Sequence, residues 1–294
     1  MSFLSYLING LSLGSVYAII ALGYTMVYGI AKMLNFAHGD VIMIGSYVIF
    51  TIVSMMNLPV WLGIIVSVIF CTVLGVVIEK VAYKPLRGAA SSLAVLITAI
   101  GVSYLLQNVA LLIFGANTKA FSSVVTFEGI SLFDGQVNIS GETIVTVLSC
   151  IVIMVVLTLF VNKTKAGQAM LAVSEDKGAA QLMGINVNAT ISLTFAIGSG
   201  LAAIAGMLLC SSYPALTPYT GSMPGIKAFV AAVFGGIGSI PGALIGGLIL
   251  GIIEILSKAY ISSQLSDAIV FMVLIIVLLV KPTGLLGKKI QEKV

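Results

Sequence analysis

The chain has 294 residues, of which 60% are hydrophobic and only 8% charged, with a formal net charge of +4 and a mean hydropathy of +1.19. A soluble domain carries about 25% charged residues, so these charges are too few to give a globule of this size a hydrated surface. Soluble enzymes and disordered scaffolds are excluded, and no basic patch interleaved with aromatics points to a nucleic-acid partner.

Lipid is therefore the solvent for most of the chain, and its 31 glycines suit helices that pack closely through small residues. The first apolar stretch, 5–28, precedes any charged side chain, Lys32 being the first. It lacks the basic start and small-residue cleavage site of a secretory signal and reads as a retained membrane helix. A bilayer span needs about 20 mostly apolar residues. Further runs of that kind lie at 38–57, 60–80, 92–114, 143–161 and 190–211, then at 225–237, 241–258 and 265–281. The run at 225–237 is short and is separated from the next by Gly235-Gly236-Ile237-Gly238-Ser239-Ile240-Pro241-Gly242, the pattern of a discontinuous or re-entrant segment. The expectation is an all-α polytopic membrane protein of eight or nine spans, with residues 1–294 forming one domain. Cys71, Cys150 and Cys210 each fall inside an apolar run, odd in number and far apart, and read as packing residues rather than a disulfide framework or metal site.

Orientation follows the basic residues in the loops. Lys80, Lys84 and Arg87 follow the third span, and Lys163, Lys165 and Lys177 follow the fifth. Lys281, Lys288, Lys289 and Lys293 follow the last. The connection 115–142 carries Lys119 against Glu128, Asp134 and Glu142. Segments 81–91 and 162–189 and the C-terminus are thus expected in the cytoplasm of a cell-membrane protein. The N-terminus and 115–142 then face outward, the latter as a small hairpin.

Within 162–189, Ser174 reads as an N-cap, with Glu175 and Asp176 in the first turn of a short helix. Ala179, Ala180, Leu182 and Met183 supply its small and apolar face, and Gly184 and Asn186 its stop. Such a face is covered either by the membrane domain itself or by a separate cytoplasmic protein. The spacing Ala179-Ala180-x-x-x-Gly184 resembles the coupling loop of ABC-transporter permeases, whose pattern is Glu-Ala-Ala-x-x-x-Gly. Gly178 stands here where that Glu would be. Three separated stretches, Asn35-Phe36-Ala37-His38-Gly39-Asp40, Asp176-Lys177 through Asn186-Val187, and Gly225 through Gly247, resemble the branched-chain amino-acid permeases in the same order. The likeness is to the smaller of the two permease subunits of that importer. It implies the ABC importer permease fold and places ATPase coupling at Glu175, Asp176, Lys177, Gly178, Ala179, Ala180 and Gly184. It also implies a second, homologous permease, two cytoplasmic ATPases that bind ATP and Mg, and an extracytoplasmic solute-binding protein. No Gly-x-x-x-x-Gly-Lys-Ser/Thr loop is present in this chain, which assigns no ATP chemistry, catalytic residue or metal to it.

Polar and glycine-rich backbone at membrane depth is tolerated only against protein or a water-filled cavity. On that ground Asn35, His38, Gly39 and Asp40, and the break at Gly235, Gly236 and Gly238, are candidate linings of a translocation path. His38, the sole histidine, reads equally as a cap or loop contact. Glu79 and Lys80 read as interfacial anchors. Glu254 and Lys258 have the spacing of an intrahelical pair, and Lys227 and Asp267, near span ends, read as structural too. Gly242, Gly246, Gly247 and Gly251 form overlapping Gly-x-x-x-Gly pairs. These serve either packing within the chain or a seam between two permeases. Ser211, Ser212, Tyr213, Pro214 and Pro218 read as an external loop. The competing readings are a related permease for urea or short amides, an ion-coupled secondary transporter, and a passive channel. The lack of charge at the span centres argues against proton coupling, and no filter motif is evident.

Overall fold

A computed structural model describes residues 2–87, 92–132 and 137–287. Among them, seven helices are long and apolar enough to cross a membrane, and two shorter apolar helices, Ser222–Gly235 and Ser266–Val280, bring the total to the nine runs expected. Asp134 and Lys288, Lys289 and Lys293, used above for orientation, lie outside the described residues.

The chain begins with α1 (Ser2–Ala31), breaks, and resumes as α2 (His38–Phe50), which ends in a π-helical turn, Thr51–Met55. α3 (Val60–Ile78) runs on through a second π turn, Glu79–Tyr83, and α4 (Ser92–Phe114) follows. Short strands β1 (Lys119–Ala120), β2 (Ile130–Leu132) and β3 (Val137–Ile139) precede α5 (Gly141–Lys163). β2 and β3 form the hairpin expected in 115–142. Two short helices, α6 (Lys165–Glu175) and α7 (Lys177–Leu182), connect to α8 (Val187–Ser212). β4 (Ala215–Leu216) pairs with β1, tying the connection after α8 to that after α4. Then come α9 (Ser222–Gly235), α10 (Ile240–Tyr260) and α11 (Ser266–Val280).

Which helix lies inside follows an inverted rule. α1, with a mean hydropathy of 1.6, has 89% of its apolar window buried in the protein; α5, at 3.1, has 22% buried. α3, at 2.7, also turns most of its residues outward, whereas α4 faces outward at 1.9, no more apolar than the buried α8 at 2.0. Lipid-facing helices must be uniformly apolar, whereas a helix surrounded by helices can carry glycine, serine and tyrosine, because protein supplies their partners.

α1 is the hub, packed against α5, α8, α9 and, most extensively, α10. The α1–α10 crossing is made by glycines on both sides. A Cβ on Gly10 would lie 2.8 Å from the Ile252 Cα, one on Gly14 2.8 Å from the Leu248 Cα, and one on Gly247 2.5 Å from the Ala18 Cα. Gly242 and Gly246 face α9 instead, against Gly235 and Ala231. Packing within the chain thus accounts for the Gly-x-x-x-Gly pairs on α10, and they are not available as a seam between subunits.

Replacement of Gly247 by Leu is expected to destabilise the protein by more than the roughly 1–3 kcal/mol usual for overpacking, because the obstacle is backbone. Gly101 on α4, where a Cβ meets nothing within 4 Å, provides the control. Gly101→Ala should be neutral or stabilising by about 0.5–1 kcal/mol. Thermal unfolding of both variants in detergent, with their yield in membranes, checks the contrast.

Candidate translocation site

At the end of α5, Thr164 caps α6, accepting from the Gly167 N–H at 3.0 Å. Gly167, Met170 and Val173 form its buried stripe. Sequence reasoning placed one helix after Ser174; instead Ser174 sits in the last turn of α6, donating to the Leu171 carbonyl, and Glu175 is its last residue. Asp176 is extended and is the true N-cap, its Oδ1 accepting from the N–H groups of Gly178 (2.8 Å) and Ala179 (3.0 Å). A carboxylate two or three residues before free N–H groups outcompetes a serine already held by its own helix. α7 closes with Ile185 N–H to the Ala180 carbonyl and Gly184 N–H to the Gln181 carbonyl, both 3.0 Å. Gly184 at φ +82° fills the left-handed position this closure requires. The apolar residues of α7 do not share a face: Ala180 is buried, while Leu182 and Met183 project with 90% and 82% exposure.

Lys177 reaches past α7 to the end of α1, donating from Nζ to the Ala31 carbonyl at 3.1 Å. Burial, with Arg87 and Lys32 nearby, holds its pKa below that of an ordinary lysine. Beyond Ala31 the chain turns at Lys32, itself left-handed at φ +57°, and runs back into the bundle. His38 then packs against Gly23, where a Cβ would stand 2.5 Å from its Nε2. Gly23 is eight residues from Ala31, so the break re-enters by about 12 Å at about 1.5 Å per residue.

α2 therefore starts inside the bundle. Its Gly39 meets the start of α9, where a Cβ on Gly39 would lie 2.6 Å from the Gly221 carbonyl oxygen. Every predicted residue of this break is enclosed. Asn35 Oδ1 accepts from the Tyr83 hydroxyl at 2.9 Å; Asp40 Oδ1 accepts from Gln107 Nε2 at 2.9 Å. His38 lies edge-on to Tyr24, ring centroids 4.7 Å apart, and its Nε2 has no hydrogen-bond partner. Glu79 is not the interfacial anchor expected. It is fully buried, bound by Arg87 and Ser192, because the π turn Glu79–Tyr83 swings it toward α8 while presenting Tyr83 to Asn35.

The second predicted break joins α9 to α10. Gly236 (φ +107°) and Gly238 (φ +93°) make the turn. The last carbonyls of α9 are satisfied from the chain after α11: Leu285 N–H to Phe234 (2.9 Å) and Leu286 N–H to Gly235 (2.8 Å). Gly238 approaches Gly29 of α1. Between the two breaks lies a narrow cleft, too tight for a water molecule, lined by Tyr24, Tyr28, Asn35, Phe229 and Ile237. The structure thus brings Asn35 and the Gly235–Gly238 turn to one cleft, with His38, Gly39 and Asp40 deeper in the bundle.

A second cavity, of about 190 Å³, lies farther along the same face of α1, lined by Leu13, Tyr17, Leu209, Pro224, Glu254 and Lys258. The Glu254–Lys258 pair expected within one helix is present, and the fold adds Lys227 and Asp267 to it. Glu254 Oε1 accepts from Lys227 (2.8 Å) and Lys258 (2.6 Å), and Oε2 from the Tyr17 hydroxyl (2.8 Å). Lys227 also pairs with Asp267 at 2.6 Å. The sequence signal that could have found this face is the spacing of Leu13, Tyr17, Tyr24 and Tyr28, four, seven and four residues apart on one stripe of α1.

A family model for the permease component of branched-chain amino acid transport systems matches residues 6–278. The chain is 48% identical to the high-affinity branched-chain amino acid transport system permease protein LivH of Salmonella typhimurium, covering 99% of this chain and 98% of that protein. It is 46% identical, with the same coverage, to the permease protein BraD of Pseudomonas aeruginosa. A probable branched-chain amino acid transport permease of Methanocaldococcus jannaschii is 31% identical over 92% of this chain and 88% of its own length. With its apolar helices crossing the membrane many times, the chain belongs to the family of branched-chain amino acid transport system permease components.

Proposed function

We propose that this chain is one permease subunit of an ATP-driven ABC importer that carries leucine, isoleucine and valine inward across the cell membrane. The observation that carries this reading is the full-length likeness to high-affinity branched-chain amino acid permease proteins. A second, homologous permease completes the membrane domain, two cytoplasmic ATPases bind ATP and Mg, and an extracytoplasmic binding protein delivers the solute.

The following features of the fold support this reading. Lys32, Lys80, Lys84, Arg87, Lys163, Lys165, Lys177 and Lys281 all gather at the end of the bundle that carries α6 and α7. The excess of basic residues makes that end cytoplasmic and leaves the β1–β4 end outside. α7 then stands where an ATPase docks, offering Leu182 and Met183 as apolar anchors of the kind that fill partner pockets. Movement of α7 is passed through Lys177 to the Ala31 carbonyl and so to the re-entrant segment Lys32–Ala37, which walls the narrow cleft. The wider cavity on the outer side and the pinched cleft on the inner side correspond to a path closed toward the cytoplasm. ATP binding on the partners supplies the force that reverses this.

Leu182→Asp changes a side chain that is 90% exposed among the described residues, so the permease subunit itself should fold unchanged. Receptor-stimulated ATP hydrolysis and leucine uptake are expected to fall together by about tenfold, the loss expected for an interface anchor. Ala180→Asp and Gly184→Arg should do the same, with some loss of stability, the latter because a non-glycine residue at a left-handed φ costs about 1–2 kcal/mol. Assembly and coupling unchanged in all three would refute the coupling role. Calorimetry on the solute-binding protein checks the substrate independently; a receptor blind to leucine, isoleucine and valine would remove that assignment.

A further inference from the structure

We propose that the cavity between α1, α9 and α10 is a docking site for the charged end of an amino acid in transit, with Lys258 holding the carboxylate and Glu254 the ammonium group. The inference rests on the reading of the chain as an amino-acid importer and locates a substrate site within it.

Ionisable groups buried at membrane depth are costly and mark function unless they are fully used by one another. Here they are not fully used. An ionised carboxylate offers about four acceptor positions, and Glu254 fills three: Lys227 and Lys258 on Oε1, Tyr17 on Oε2. Oε2 retains one, and Glu254 borders the cavity. Lys258 has three donors. One goes to Glu254, and its side chain is 37% exposed at the cavity margin, leaving donors free for an anionic group. The site therefore presents an acceptor of negative charge and a donor of positive charge side by side, on opposite ends of one salt bridge.

The charge balance favours a zwitterion over an anion or a cation alone. Lys227 and Lys258 offset Glu254 and Asp267, so the cluster is neutral. A ligand bearing one charge would unbalance it in a low-dielectric setting, whereas a zwitterion inserts into it without net charge. Leu13, Leu209 and Pro224 form an apolar wall beside these groups, suited to an aliphatic side chain. The volume of about 190 Å³ is far above the roughly 10–15 Å³ that one water requires. Tyr213 and Thr220, from the connection tied to β1, stand at the outer rim of the same cavity, so it lies on the side from which the solute arrives.

The test uses the importer purified with its partner subunits in proteoliposomes, with the binding protein and labelled leucine outside and ATP inside. In Lys258→Met, Glu254 keeps Lys227 and Tyr17, so the buried acid stays paired. Leucine uptake is expected to fall about tenfold or more, the scale for removing one partner of a charged contact. Receptor-stimulated ATP hydrolysis should stay within about twofold of wild type, and Lys258→Arg should restore most of the uptake. Leu13→Trp fills the cavity from its apolar wall without touching a charge and should also lower uptake at unchanged ATP hydrolysis. Leucine uptake at wild-type rate in Lys258→Met or in Leu13→Trp overturns the proposal. Parallel loss of uptake and ATP hydrolysis in Lys258→Met also overturns it, by making the lysine a structural element. A wild-type importer that moves no leucine overturns the importer reading itself, a failure distinguishable from the others because it precedes any substitution.

Discussion

The glycine-mediated approach of α1 to α10 is the contact from which the other features of this permease follow. Gly10 and Gly14 on one helix meet Ile252 and Leu248 on the other, and Gly247 meets Ala18, each at a distance a single added methyl would violate. With no hydrophobic force between helices in lipid, close van der Waals packing of this kind is what holds them. It also places the polar groups between the helices. Only at this separation does the Tyr17 hydroxyl of α1 reach Glu254 of α10, on which the lysines of α9 and α10 also converge.

A second constraint is that each backbone group leaving the helical pattern inside lipid needs a partner. The molecule meets it by wrapping its irregular segments around α1. The carbonyls ending α9 are taken by the N–H groups of Leu285 and Leu286, while the polar side chains of the other break are held as well, Asn35 by Tyr83 and Asp40 by Gln107. Helix hydropathy is arranged to match: the most apolar helices face outward, and the least apolar enclose the polar breaks. Lys177, at the end of the helix leading into one of them, ties the surface helix α7 to the last carbonyl of α1.

Much of the architecture was legible in the chain. The nine apolar runs, the hairpin in 115–142, the turn at Gly235–Gly238 and the glycine stop at Gly184 are local patterns, and local patterns are what a sequence displays. The cap of α7 was misplaced by two residues, because Ser174 and Asp176 are both good caps and only the amphipathic stripe of α6, formed by Gly167, Met170 and Val173, decides between them. Glu79 was misread for a similar reason. A charge at a span end normally reaches for the interface, and the π turn that draws this one inward leaves no compositional trace.

By itself the sequence determined that lipid is the solvent, where the spans run, which ends carry the basic residues, and which family the chain resembles. Each of these depends on composition, on spacing along one helix, or on motifs read in order. The tertiary structure alone decided that Gly242–Gly251 pack inside the chain, that Asn35 and Ile237 share one cleft, and that Lys227, Glu254, Lys258 and Asp267 form a single network bordering a cavity. Three of those four charges belong to different helices, and their union depends on where α9, α10 and α11 sit around α1.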